Sequence, residues 1–187
     1  LKPTLIILIM DYMSLNLFLL INNLYMSELT FERPGIKNIK ENKIFEIYPH
    51  NFNIDKLKIE FQDSDPQEFM KEMGKWRRSY KVGEYGNYIK ELYTKLTKGK
   101  VGVGYYHQLS GEKVEPHKDA RCKCRINIKL SDDDTNVVIG NEKFKYDCAL
   151  LNVSEYEHYV EQCEKDRIIF SILFVDKSFK TIKNIIK

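Results

Sequence analysis

The sequence has no C-x-x-C pair, and its four cysteines, Cys122, Cys124, Cys148 and Cys163, follow no zinc-ligand spacing. Cys122 and Cys124 stand too close for an easy mutual disulfide, so the simple expectation is reduced thiols in a cytoplasmic protein. Charge of one sign is lacking too. The 30 Lys and Arg against 27 Asp and Glu leave a net charge of +3. No concentrated basic face or basic aromatic platform announces a nucleic-acid partner. There is no internal repeat and no low-complexity linker. An uninterrupted apolar run is missing as well: Leu5 to Tyr25 is rich in Leu and Ile, but Asp11, Asn16, Asn22 and Asn23 break it. A spanning helix needs about 20 mainly apolar residues, and a central Asp costs roughly 2.5–3.5 kcal/mol on insertion scales. The basic start and small-residue cleavage site of a secretory signal are also wanting. Residues 1–25 are therefore expected to be a non-native or disordered extension preceding Met26, with an amphipathic helix or membrane anchor as the alternative. Residues 26–187 are expected to be a single domain with a helical N-terminal half.

What the sequence does contain is a β-rich second half. After Gly99, strands are expected over 101–108, 124–130, 136–139, 142–146, 148–152, 157–161 and 167–175, with Gly140-Asn141 as a two-residue hairpin turn. Arg167 to Val175 is apolar almost throughout, which predicts a central strand buried on both faces. Before Gly99, Ile44 to Tyr48 and Leu57 to Phe61 read as short outer strands, and Asp65-Pro66-Gln67-Glu68 reads as the start of a helix reaching about Met73. Asn87 to Leu96 reads as a helix that packs Ile89, Leu92, Tyr93 and Leu96 against the sheet. Trp76-Arg77-Arg78 reads as a helix-edge anchor, with substrate contact as the alternative. Many short strands fronted by helices predict a mainly β double-stranded β-helix, a jelly roll of the cupin type.

One constellation carries chemistry: His117-Lys118-Asp119, then His158, then Arg167. Side chains two apart on an extended segment point to one side, so a single strand end can supply both His117 and Asp119 to one metal. Two imidazoles and a carboxylate can occupy one face of an octahedral iron and leave the opposite positions open. A hairpin of 157–161 and 167–175, closed by Gln162 to Asp166, would set His158 opposite Arg167 or Ile169, within the roughly 7–8 Å of a diagonal pair. Arg167 is then a fixed cation suited to the carboxylate of an organic acid.

A bare His-x-Asp triplet is weakly specific, and its surroundings carry more weight. Val114-Glu115-Pro116-His117-Lys118-Asp119 leads into Arg125-Ile126-Asn127-Ile128-Lys129-Leu130. Tyr146 to Val153, His158-Tyr159-Val160 and Arg167 to Ile172 follow. Over about 101–176 this order closely resembles the 2-oxoglutarate- and Fe(II)-dependent oxygenases, in particular the aspartyl/asparaginyl β-hydroxylase-like or prolyl-hydroxylase-like branch. The resemblance implies Fe(II) on His117, Asp119 and His158. It implies 2-oxoglutarate on Arg167, with Arg125, Asn127 and Tyr105 contributing, and O2 as oxidant. It further implies hydroxylation of an amino-acid side chain of Asp, Asn or Pro type, protein-borne or free. The sequence departs from the animal β-hydroxylases at three places. Asn127 stands where they carry a 2-oxoglutarate-binding His, Asp119 stands where they lack an acid, and Val175-Asp176-Lys177 replaces their Trp-His-Pro.

Two further functional classes are compatible with these residues. A non-oxidative cupin-like metal protein, an isomerase or a sensor, would use the same triad without needing Arg167. A degenerate binding module on the same scaffold would need neither. A protein, peptide or amino-acid substrate is the expected partner, with no nucleic acid.

Overall fold

In the computed structural model, which describes residues 44–47, 52–69 and 76–186, the period-two patterns of the second half decide the architecture. Along β6 (Cys124–Lys129) and β11 (Arg167–Phe174) the even-numbered Ile126, Ile128, Phe170, Ile172 and Phe174 are fully buried against the helices. The odd-numbered Arg125, Asn127, Arg167, Ile169 and Leu173 face the other way and line a cavity. Successive strand side chains point to opposite faces, so one sheet presents a greasy side and a functional side.

The large sheet is antiparallel and has seven strands. Their order is β1 (Phe45–Ile47), β9 (Cys148–Leu151), β6, β11, β4 (Val101–Gln108), β3 (Trp76–Ser79) and β2 (Gln67–Phe69). Strand β11 is the middle one, paired along its length with β4 and β6, which explains its nearly continuous apolar sequence. The small sheet runs β5 (Val114–His117), β10 (His158–Val160), β7 (Val137–Ile139) and β8 (Glu142–Phe144). Gly140-Asn141 closes the β7–β8 hairpin as expected. Gly140 has φ +57°, a left-handed conformation that glycine adopts without steric penalty. Val137, Ile139, Ala149, Leu151 and Val153 fill part of the space between the sheets. The result is the double-stranded β-helix predicted from the strand pattern.

Among the described residues three helices cover the greasy side: α1 (Ile54–Gln62), α2 (Glu84–Thr97) and α3 (Phe179–Ile185). The strand expected over Leu57–Phe61 is therefore corrected to helix. Asn53 caps α1, its Oδ1 accepting the Lys56 N–H at 3.0 Å, and only Leu57 of that run is buried while Ile59 is exposed. The helix expected from Asp65 is corrected to strand over Gln67–Phe69; its continuation toward Met73 falls outside the described residues. Asp65 has φ +47°, whereas a helix N-cap needs extended backbone. On α2 the buried face is Gly86, Ile89, Tyr93 and Thr97, so the expected stripe keeps Ile89 and Tyr93 but loses the exposed Leu92 and Leu96. Strand β5 has no counterpart among the expected strands, because Glu115-Pro116 interrupts any β pattern there.

The Glu60 carboxylate joins the helices to the sheet. It accepts the N–H groups of Gly83 at 3.1 Å, Tyr85 at 2.6 Å and Gly86 at 3.0 Å, and the Tyr105 hydroxyl at 3.1 Å. An acid at a helix N-terminus satisfies orphan donors and complements the helix dipole. The fit is tight, since a Cβ at Gly83 would lie 2.4 Å from the Glu60 carboxyl carbon. Among the described residues no helix is long and apolar enough to cross a membrane. The expectation for residues 1–25 falls outside the described residues.

Candidate metal centre and its cavity

His117 ends β5 and His158 opens β10, and the two are direct partners across that antiparallel pair. The register sets their rings side by side with centroids 4.3 Å apart. Asp119 follows in the next loop, fixed by its own N–H donating to the Val153 carbonyl at 3.0 Å. Its Oδ1 lies 3.6 Å from His117 Nε2 and 3.9 Å from His158 Nε2. One ligand atom from each of the three residues falls within 4.8 Å of the others. His117 Nδ1 donates to the Glu115 carbonyl at 2.8 Å, and His158 Nδ1 lies 3.5 Å from the Tyr156 carbonyl. With Nδ1 turned to backbone oxygen, each imidazole keeps the Nε2 lone pair for a metal.

The other carboxylate oxygen of Asp119 is engaged. Oδ2 accepts from Arg125 Nη2 and, at 3.2 Å, from the Cys122 thiol. Arg125 projects from β6 into the cavity over the Tyr106 ring, 5.4 Å from its centre. Burial alone would raise the Asp119 carboxyl, but Arg125, His117 and His158 override it and hold the group well below the usual carboxylate range. Burial pushes His158 down to about 3, against the pull of Asp119. Burial likewise pushes the Cys122 thiol up to about 11, which keeps it a donor. A carboxylate already ionised and an imidazole already neutral are the forms that ligate metal.

The cavity behind the triad has a volume of about 530 Å³. Its inner end holds a group of polar residues on the functional face of the large sheet. Buried Arg167 donates from Nη2 to the Tyr146 hydroxyl at 2.8 Å, and Asn127 Nδ2 donates to the same oxygen at 3.1 Å. Ser171, paired with Asn127 across β11 and β6, donates to Asn127 Oδ1 at 2.5 Å. Arg167 Nε lies 3.8 Å from Asp133 Oδ1, beyond hydrogen-bond length. Tyr146 and Asp133 were not singled out by sequence reasoning. Tyr146 ends the strand expected over 142–146 but lies past the end of β8, in the link to β9, and Asp133 belongs to an acidic run that reads as solvated surface.

Of the seven candidate site residues, six line this cavity: His117, Asp119, His158, Arg167, Arg125 and Asn127. Arg125 does so as the partner of Asp119. Tyr105 is the correction. It points to the helical side, donates to Glu60, and packs edge-on against Phe61 and at a tilt on Phe170, so it cannot reach a cavity ligand. Its neighbour Tyr106 faces the cavity instead. The expected hairpin is also corrected. Strand β10 pairs with β5 and β7 in the small sheet, β11 with β4 and β6 in the large one. The connection is pinned to the β4–β5 turn rather than closing a hairpin, with Cys163 N–H donating to Glu112 O at 3.0 Å and Gly111 N–H to Cys163 O at 2.8 Å. His158 and Arg167 thus reach the same cavity from different sheets. His107 pairs with Asp166 at 2.8 Å. Trp76 and Arg78 are on β3, not a helix edge, and line the cavity.

No protein-family model and no curated protein matches the chain. Solved structures do share its fold. A prolyl-4-hydroxylase from Pseudomonas putida is 9% identical, with a TM-score of 0.59 over 72% of this chain and 93% of the other. A prolyl hydroxylase from Trichoplax adhaerens, in complex with a hypoxia-inducible-factor oxygen degradation domain peptide, is 12% identical, with a TM-score of 0.55 over 75% and 87%. The viral collagen prolyl hydroxylase of Paramecium bursaria Chlorella virus-1, in complex with 2-oxoglutarate, is 10% identical, with a TM-score of 0.51 over 73% and 98%.

Proposed function

We propose that this chain is a 2-oxoglutarate- and Fe(II)-dependent dioxygenase that hydroxylates an amino-acid side chain carried in a peptide. The observation that supports it best is the placement of a His117, Asp119 and His158 donor set in the same cavity as a buried arginine, Arg167. Two imidazole nitrogens with one carboxylate oxygen suit Fe(II) and leave positions for further ligands. A non-oxidative metal site does not require a buried guanidinium beside it. The peptide substrate is proposed by analogy with the Trichoplax enzyme of the same fold.

His117 and His158 would hold the iron through Nε2 and Asp119 through Oδ1, while Arg125 keeps Oδ2 turned away. Arg167 would take the distal carboxylate of 2-oxoglutarate as a charge-assisted pair. Tyr146 would add a donor. Its oxygen already accepts from Arg167 and Asn127, so its own proton remains for a carboxylate in the cavity. Ile169, Leu173 and Val160 supply apolar wall that excludes water around these groups. When bound, iron and 2-oxoglutarate supply the oxidative chemistry, with O2 consumed, succinate and CO2 released and a substrate carbon hydroxylated. The test is succinate formation by the Fe(II)-loaded protein with a peptide screen read by mass spectrometry. Metal uptake without 2-oxoglutarate binding or succinate would favour a non-oxidative cupin instead.

A further inference from the structure

Behind Arg167 lies an acid that the reaction as proposed does not use. The link from β6 to β7 carries three consecutive carboxylates, of which the middle one, Asp133, is turned inward while Asp132 and Asp134 stay exposed. Asp133 is 2% exposed and Arg167 5%. Charges taken this far out of water need a counter-charge close by. Asp133 Oδ1 lies 3.8 Å from Arg167 Nε, and among the described residues no other acid pairs with that guanidinium. Lys129, whose ammonium reaches the Asp133 carbonyl at 3.2 Å, is ion-paired with Asp147 at 3.0 Å.

The strand that carries Arg167 also fixes Asp133. Ile168 N–H donates to Ser131 Oγ at 2.9 Å and Leu130 N–H to the Ile168 carbonyl at 2.8 Å, which stitches the link to the start of β11. Ser131 Oγ donates to Asp133 Oδ2 at 3.3 Å, and Thr135 N–H to Oδ1 at 2.9 Å. At 3.8 Å the contact with Arg167 is electrostatic without a hydrogen bond. A bidentate pair would lock the guanidinium onto Asp133. The longer contact balances its charge and leaves it on the cavity wall, with Nη2 on the Tyr146 hydroxyl. A carboxylate entering the cavity thus meets a cation that already has a counter-ion, and two carboxylates around one buried cation repel each other.

We propose that Asp133 is a positioning residue of the clamp that lowers the affinity of Arg167 for a carboxylate in the cavity. It neutralises Arg167 while the cavity is empty and competes for the guanidinium when it is full. The cosubstrate 2-oxoglutarate and the product succinate both carry a distal carboxylate, so Asp133 weakens the hold on both by the same factor and eases product release. The ligand side of this inference rests on the reading of Arg167 as the clamp; the pairing of Asp133 with Arg167 rests on the structure alone.

The experiment is a calorimetric titration of the metal-free full chain with 2-oxoglutarate, succinate and the uncharged succinamide. Asp133→Asn keeps an acceptor for Thr135 N–H and removes the charge. It should bind both dianions at least about fivefold tighter than the parent, with succinamide unchanged. Asp133→Glu, one methylene longer, brings its carboxylate toward hydrogen-bond reach of Nε and should bind the dianions more weakly than the parent. Simple damage to packing would weaken binding in both variants, so the opposite signs identify the charge. Without ligand Asp133→Asn should melt below the parent, and it should gain more than the parent from saturating 2-oxoglutarate. Equal or weaker binding of the dianions by Asp133→Asn, or an equal gain for succinamide, would overturn the proposal. Should Asp133→Asn not fold, Asp133→Glu decides, and dianion binding as tight as the parent's would overturn it. Arg167→Leu in the same titration separates this inference from the clamp. Binding that falls in Arg167→Leu but is unmoved in Asp133→Asn removes the counter-ion role and leaves the clamp; binding indifferent to Arg167→Leu removes both.

Discussion

Asp119 divides its carboxylate between two tasks, turning Oδ1 to the imidazoles of His117 and His158 and Oδ2 to the guanidinium of Arg125. Without a metal, the charge of Asp119 is balanced by the guanidinium of Arg125, while His158 is held neutral. With a divalent ion in place, the carboxylate would have a second counter-charge.

Arg125→Leu should therefore destabilise the metal-free protein by about 3–5 kcal/mol, the usual result of leaving one partner of a buried pair. Saturating Mn(II) should restore most of that loss. Thermal denaturation of the variant with and without Mn(II) checks it. A deficit unchanged by the metal would mean that Arg125 supports the fold independently of Asp119.

The depressed His158 gives the metal-free protein a pH dependence of known sign. A group whose folded value, about 3, lies below its ordinary 6.5 contributes stability that is complete above about pH 6.5 and is lost as pH falls toward 3. In that window the unfolded chain binds a proton that the folded chain refuses, at up to about 1.4 kcal/mol per pH unit. Denaturant midpoints measured from pH 7 to pH 4 should fall in the parent and fall less steeply in His158→Asn. Parallel curves would show that His158 is readily protonated in the folded state.

The two tyrosines should separate cleanly. Tyr105→Phe removes the hydroxyl bond to Glu60 and should cost about 1 kcal/mol of stability while leaving 2-oxoglutarate affinity unchanged. Tyr146→Phe should weaken 2-oxoglutarate binding about fivefold or more, through loss of one hydrogen bond to a charged group. Denaturant melts and anaerobic binding isotherms on both variants decide this, and the opposite pattern would restore Tyr105 as the ligand contact.

Much of the site was legible because its residues are chemically distinctive and sit where strand alternation is clean. His117, Asp119, His158 and Arg167 were picked out by residue type and spacing together with the order of the sequence around them. Arg125 and Asn127 stand out as polar residues alternating with Cys124, Ile126 and Ile128. What was illegible is long-range. Nothing local says whether the chain from Val160 to Arg167 closes a hairpin or crosses between sheets; that depends on Cys163 docking on the β4–β5 turn. Tyr105 and Tyr106 are adjacent, and only the register of β4 decides which one meets the cavity. Leu57, Ile59 and Phe61 mimic a strand because a period of two and a period of 3.6 coincide over so short a run. Tyr146 reaches Arg167 across 21 residues of separation, a pairing that no local pattern encodes.

A metal centre coupled to a carboxylate clamp makes cosubstrate affinity depend on Arg167 while iron affinity does not. The deciding measurement is the 2-oxoglutarate dissociation constant of the anaerobic, Fe(II)-loaded protein, compared with that of Arg167→Leu. Loss of a charge-assisted contact worth about 1.5–3 kcal/mol should weaken cosubstrate binding roughly tenfold or more, with iron affinity hardly changed and Arg167→Lys rescuing in part. Equal constants for the parent and Arg167→Leu would contradict the clamp and leave the triad as a metal site of another kind.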